Sequence, residues 1–383
     1  MTYRARVFAL YAGTPGDTRD AELVDETIDL PRPQGDQLIA EPLYGCWAGN
    51  MTHALQRRPA DICRQRNEPK VVLGNSGVVR VLDVGPDVRD LRPGQLCLLF
   101  SASVLDAYGY PIKAFAYDAP GTMGCLATRM LLRAHELLAL PDGTRHDLAR
   151  WAAFSGASIT AWSNWELAFG TLRLQLHADE LPAPHVWGWG GGTTLATLDL
   201  ARRHGCRAVQ LSADPGRRAL IERAGVTALA RDQFPALAFD EPRFASDLAY
   251  RRAYLDSEAA FLREVERRTG GEGVHVFVDY IGQPVWRATL KALARQGVVT
   301  TAGWKLGMSL GHLRAAECIA RHQFIHTHFA RRSQGLAAVA YAEAHDWLPE
   351  VDPPVAFDRV PELARAHADG RTGFYPIFAV NPP

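Results

Sequence analysis

The run Gly188-Trp189-Gly190-Gly191-Gly192-Thr193-Thr194 is the segment of this 383-residue chain whose residue types most directly imply chemistry. It follows the strand-like His185–Trp187 and precedes a stretch with Leu195, Leu198 and Ala201 at helical spacing. Glycines between a strand and a helix let the backbone approach a pyrophosphate, and the helix N-terminus offers unpaired N–H groups to the anion. All seven residues are therefore candidates for holding a dinucleotide. A threonine, Thr193 or Thr194, stands where the usual pattern has its last glycine, which predicts looser helix–strand packing. Trp189 inside the turn is expected to shape the cofactor path.

The next strand ends at Leu211-Ser212-Ala213, followed by Asp214, Arg217 and Arg218. An NAD site normally carries an acidic residue at this strand end, on the ribose 2′-hydroxyl. Ser212 is neutral, and two arginines follow that can meet a 2′-phosphate. The spacing favours NADP(H). The competing reading makes Arg217 and Arg218 a solvated helix face and Asp214 a helix cap.

His322, His326 and His328 lie close together in the sequence, and His322 and His326 would share one face if that segment were helical. A zinc site needs about three protein ligands, and no further ligand follows at a metalloprotease spacing, so no metal is expected here. Six cysteines are dispersed singly, without a Cys-x-x-Cys pair. That excludes a disulfide scaffold and points to a reducing compartment.

These residues must be positioned by a chain that reads as two parts. Up to about Ala153 it is β-rich, with strand-like runs Val71–Gly85 and Gln95–Phe100 punctuated by Gly85-Pro86 and Pro93-Gly94. From about Pro184, apolar strands alternate with helical patterns. Strands are expected at 208–211, 274–279 and 298–302, and helices at 217–224, 261–265 and 286–295. Strands buried on both faces and spaced by helices predict an α/β fold with a doubly wound parallel sheet. The charge is balanced, 42 basic against 42 acidic residues, which argues against a bulk nucleic-acid binder. No run approaches the roughly 20 apolar residues of a membrane span, and the start lacks a convincing signal peptide. A cytoplasmic globular protein is expected.

With the glycine turn in place, the chain resembles the medium-chain dehydrogenase/reductases. The resemblance covers nearly its whole length, through Leu30–Leu43, Leu73–Gln95, the turn itself, Val274–Gly282 and Gly297–Gly303. It implies a GroES-like β-rich catalytic domain at 1–156, a Rossmann domain at 157–346 and a return to the catalytic domain at 347–383. It also implies a homodimer. Zinc-dependent members carry a cysteine near the position of Trp47 and a Gly-His-Glu motif. Here the motif is Gly74-Asn75-Ser76 and Cys46 is one place out of register, so the chain reads as zinc-free. Within the zinc-free branch it is most similar to crotonyl-CoA carboxylase/reductases, through Ala116–Pro120, the insert Phe234–Leu255 and Phe324–Ala330.

That resemblance assigns catalytic positions to Tyr117, Asp118 and His328 and a cofactor contact to Trp304. It places Trp47, with Asn50, by the substrate pocket. The residues themselves also allow a turn role for Asp118, a core role for Trp304 and a structural role for His328. The implied activity is NADPH-dependent hydride transfer to an activated C=C bond of an enoyl thioester, enal, enone or quinone-like substrate. Two alternatives stay open: reductive carboxylation of an enoyl-CoA, and an NADP-binding protein with lost or repurposed chemistry.

Overall fold

Val274–Asp279 is buried at every residue, so it needs partners on both edges and covering elements on both faces. The computed structural model, which describes residues 2–17, 19–303, 306–307, 309–327 and 329–383, supplies them. Among the described residues the sheet strands are β1 (His185–Trp189), β2 (Arg207–Ser212), β3 (Thr227–Ala230), β4 (Val274–Asp279), β5 (Leu293–Thr301) and β6 (Gln323–His326). Their order is β3-β2-β1-β4-β5-β6 and every pairing is parallel. This is a doubly wound sheet whose strand order reverses between β1 and β4, the place where such sheets bind ligands. The accompanying helices are α1 (Gly192–Arg203), α2 (Pro215–Arg223), α3 (Leu248–Thr269), α4 (Gln283–Ala292) and α5 (Arg314–Ala320).

Pro284 in the first turn starts α4 earlier than the 286–295 expected from sequence. The helix stops at Ala292 because Leu293 already pairs with Val274. The histidine segment also differs from the helical reading. Arg321 adopts a left-handed conformation with φ of 60°, which ends α5. His322 therefore follows the helix and His326 ends β6, so the two share no helix face.

The chain forms two compact units, Met1–Ile159 with Phe329–Pro383, and Thr160–His328. In the first, a sheet runs in the order Leu137–Ala139, Leu96–Leu99, Gly77–Val84, Gln37–Cys46, Ile377–Ala379, Val355–Ala356. Its core gathers Leu38, Val79, Leu99, Phe115, Leu126 and Phe378. The C-terminal strand pairs antiparallel with Gln37–Cys46, bringing Ile377 opposite Cys46.

The return to this unit comes at Phe329, whereas the sequence placed it at 347. The helix Arg332–His345 belongs here because Gly335 packs close to Leu138 and Phe100, and Arg332 donates to the carbonyl oxygens of His135 and Leu137. A 28-residue helix, Leu148–Gln175, begins inside the stretch that reads as β-rich. Its apolar residues are spread around the axis, so no amphipathic stripe announces it. No described helix is long and apolar enough to cross a membrane.

Candidate dinucleotide turn and catalytic loop

The glycine turn sits at the C-terminal end of β1, beside the reversal point of the sheet. A Cβ on Gly188 would fall 2.7 Å from Thr194 Cγ2 and 2.9 Å from the Val278 carbonyl oxygen. Gly190 has φ of 149°, and a Cβ there would run into Thr194 Oγ1. Thr194 is fully buried and fills the room these two glycines leave. Helix and strand are thus packed around the threonine, and the looser packing expected from the missing glycine does not arise. Gly191, by contrast, caps α1, and a Cβ on it would meet nothing within 4 Å. Open space therefore faces the first turn of α1, with Gly192 as its first residue. An N-terminal cradle of this kind fits a pyrophosphate.

Trp189 does not enter that space. Its indole lies in the core against Phe261 and Phe277, and its Nε1 donates to Thr289 Oγ1 at 3.1 Å. Its contribution to the turn is its backbone. Thr193, the second residue of α1, accepts from Thr197 Oγ1 through its carbonyl.

At the end of β2, Asp214 caps α2, its Oδ1 accepting from the Arg217 amide at 2.7 Å. Arg218 folds back onto the carbonyls of Ser212 and Ala213 at 3.1 and 2.8 Å. Sequence reasoning missed a third cation. Ser212 pairs with Ala230 in the ladder, which places Arg231 beside this strand end. Burial lowers the Arg231 pKa, opposed by the Asp279 carboxylate. The available signal was a lone arginine directly after an apolar strand.

Tyr117 and Asp118 lie in a loop of the first unit that turns at Ala116, whose φ is 56°. Asp118 Oδ1 accepts from the Ala114 amide at 2.7 Å, Thr122 Oγ1 accepts from the Ala116 amide at 2.8 Å, and Ala119 donates to the Ala114 carbonyl. The turn reading of Asp118 is thus realised. The side chain of Arg66, with no exposed surface, pairs with Glu68 and donates to the carbonyls of Tyr117 and Thr122. Glu68 accepts from Gly121 N–H. Burial, reinforced by the Asp118 charge, pushes the Tyr117 phenol up to about 12, so it stays protonated at neutral pH. Asp118→Asn keeps the carbonyl oxygen and should leave stability unchanged. Asp118→Ala should cost about 1 kcal/mol, read by urea unfolding of both variants. An equal loss in both would show that the charge, not the turn bond, holds the loop.

Trp47 is buried rather than lining a pocket. Its Nε1 donates to Thr52 Oγ1, which is 2.7 Å from His367 Nδ1. Asn50 donates from Nδ2 to Asn75 Oδ1 at 3.3 Å, while Asn50 Oδ1 is buried without a hydrogen-bond partner. Asn75 is itself buried and its carbonyl accepts from Ser101 Oγ. The amide pair is a polar spot that the sequence touched only at Asn50. Cys46 is buried and its thiol is pushed up to about 12 by desolvation. Among the described residues no group of three or more His, Cys, Asp and Glu side chains is arranged to hold a metal ion.

His322 Nδ1 lies 2.5 Å from Glu317 Oε2. The two line a cavity of about 380 Å³ with His312, Arg314 and Arg321, by the start of β6 and so at the end of the sheet away from the glycine turn. His326 is exposed at the other end of β6. His328 and Trp304 lie outside the described residues.

No protein-family model matches the chain, and no curated protein matches it in sequence. Solved structures match nearly all of it. A crotonyl-CoA carboxylase/reductase in complex with NADP is similar at a TM-score of 0.80 and 18% identity, over 99% of this chain and 95% of the other. A 2-octenoyl-CoA carboxylase reductase in complex with NADP and 2-octenoyl-CoA gives 0.81 and 15%, over 99% and 88%. A putative alcohol dehydrogenase from Sinorhizobium meliloti 1021 gives 0.74 and 17%, over 99% of each chain. The likeness is one of fold: a β-rich unit and a unit built on a doubly wound parallel sheet.

Proposed function

We propose that this chain, built on the medium-chain dehydrogenase/reductase fold, is an NADPH-dependent reductase of an activated carbon–carbon double bond. The substrate class is an enoyl thioester or a related enal, enone or quinone. The observation that carries the reading is the glycine turn at the β1/β4 reversal, with open space over Gly191 and Thr194 built beneath it. Structures of similar fold solved with NADP, one of them also with an enoyl-CoA, support it. When bound, NADPH supplies the hydride.

The chain's own residues do the rest. Backbone N–H groups of Gly191 to Thr194 bind the pyrophosphate at the start of α1. Ser212, Arg217 and Arg231 serve the 2′-phosphate, and Asp214 is committed to its cap. Tyr117, kept protonated by burial, is a hydrogen-bond donor to the substrate, and Asp118 holds the loop that presents it. Asn50 and Asn75 offer amide contacts, and His328 is a further candidate polar partner of the substrate. The residues near Cys46 are Asn75 and Ser76, which are poor zinc ligands and leave a single thiol where about three ligands are needed, so a zinc-independent reaction fits these residues.

NADPH oxidation with crotonyl-CoA and with a panel of enals and quinones tests the activity. A product heavier by carbon dioxide when bicarbonate is present would identify reductive carboxylation. Binding of NADPH without turnover across the panel would overturn the reductase assignment. Arg231→Gln should weaken NADPH by about tenfold and leave NADH unchanged, measured by tryptophan quenching. Equal effects on both would remove Arg231 from the 2′-phosphate.

A further inference from the structure

Asp279, the last residue of β4, pairs with Trp189 in the ladder and is 1% exposed, and its carboxylate accepts from the turn after β4 and from α4. Its Oδ1 accepts from the amides of Ile281 and Gly282, both at 3.0 Å. Its Oδ2 accepts from Thr289 Oγ1 at 2.7 Å, and that same hydroxyl accepts from Trp189 Nε1. Trp189 in turn takes the Tyr280 amide on its carbonyl at 3.3 Å and leads directly into Gly190. The fully buried Thr289 hydroxyl thus joins the Trp189 side chain to the carboxylate that holds the turn after β4, alongside the backbone bond from Tyr280 to Trp189. The far side of that turn is also fixed, because the Leu306 amide donates to the Ile281 carbonyl at 2.9 Å. Gly282, with φ of 96°, fits against the Gly307 carbonyl, where a Cβ would come within 3.0 Å.

In a doubly wound sheet of this order, the adenosine half of a dinucleotide lies over β1 and β2, with its ribose at the β2 end. The other half then extends across the reversal, over β4 and β5. The Tyr280–Gly282 turn stands on that side. Resting on the cofactor reading above, we propose that Thr289, together with Asp279, is a positioning residue that sets this turn against the glycine turn and so fixes where the nicotinamide half rests. Thr289 touches no ligand itself; it acts through the Ile281 and Gly282 backbone.

Comparing two ligands on the intact chain tests this without any turnover. NADPH spans both halves, whereas 2′,5′-ADP carries only the adenosine half and its phosphates. Thr289→Val keeps the shape and removes the hydroxyl's hydrogen bonds to Asp279, Trp189 and the Val285 carbonyl. It should weaken NADPH by about tenfold, the cost of roughly one lost hydrogen bond, while 2′,5′-ADP affinity stays within about twofold. Thr289→Ser should restore NADPH affinity and the emission of the bound nicotinamide. Should the valine variant fail to fold, Thr289→Cys, which weakens these bonds and keeps most of the volume, should show the same selective loss. Equal loss for both ligands, or no loss for either, overturns the inference while leaving the cofactor reading intact. An unmodified chain that binds neither ligand overturns both.

Discussion

Gly190→Ala is expected to destabilise the unit Thr160–His328 by about 2–4 kcal/mol and, on the proposed cofactor reading, to abolish measurable NADPH binding. Two costs add. An alanine at φ of 149° sits in a region that L side chains rarely adopt, and its Cβ would run into Thr194 Oγ1 with Tyr280 Cβ only 3.3 Å away. Thr194→Ala in the same chain should recover part of the loss, because it removes the steric cost and leaves the conformational one. Gly191→Ala separates packing from binding. Its Cβ meets nothing within 4 Å and its φ of −98° is not left-handed, so stability should hold while the methyl group intrudes on the space proposed for the pyrophosphate. Thermal melts with NADPH titration decide the matter. A Gly190→Ala variant that melts and binds like the unmodified chain would refute the packing account of the turn.

Stability is expected to fall steeply between about pH 6.5 and pH 4 through one histidine pair. His185 and His275 are buried at the starts of β1 and β4 with their rings stacked, and His275 Nδ1 accepts the His185 amide at 3.0 Å. That bond requires an unprotonated Nδ1. Burial depresses the His275 pKa to about 4, with His185 and Arg173 adding repulsion and Glu272 opposing them. Burial also lowers His185, assisted by Arg207.

A histidine depressed in the folded state binds its proton more readily once unfolded. The stability is therefore fully present above the unfolded pKa and is lost as pH falls through the window down to the folded value. For His275 the loss is on the order of 3 kcal/mol, at about 1.4 kcal/mol per pH unit. Urea unfolding at pH 7 and pH 4.5 should show a larger difference for the unmodified chain than for His275→Asn, whose amide oxygen can still accept the His185 N–H. Identical pH dependence in the two would mean that other groups, carboxylates among them, carry the acid sensitivity.

Local patterns made much of this architecture legible. Apolar strands with glycine punctuation placed β1, β2, β4 and β5, and the strand-to-helix glycine run placed the candidate cofactor turn. Asp214 read from sequence as a candidate helix cap, and the backbone geometry makes it one. The long helix from Leu148 went unseen because its apolar residues are spread around the axis, which erases the stripe by which a helix is recognised. Arg231 went unseen because its relevance depends on the Ser212 to Ala230 register, a pairing between residues of different elements.

The sequence by itself determined the alternation of elements, the position of the glycine turn and the neutral end of β2, since each is a property of neighbouring residues. Only the tertiary structure decided which way the large side chains face. Trp189 and Trp47 both sat at positions that read as ligand contacts, and both are buried in cores with their indole N–H groups bonded to threonines. The roles of Thr194 and Thr289 were likewise decided there. A threonine looks the same in any sequence, and what distinguishes these two is the pair of glycines above one and the buried carboxylate beside the other. Such contacts join residues far apart in the chain, and no periodicity or local spacing encodes them.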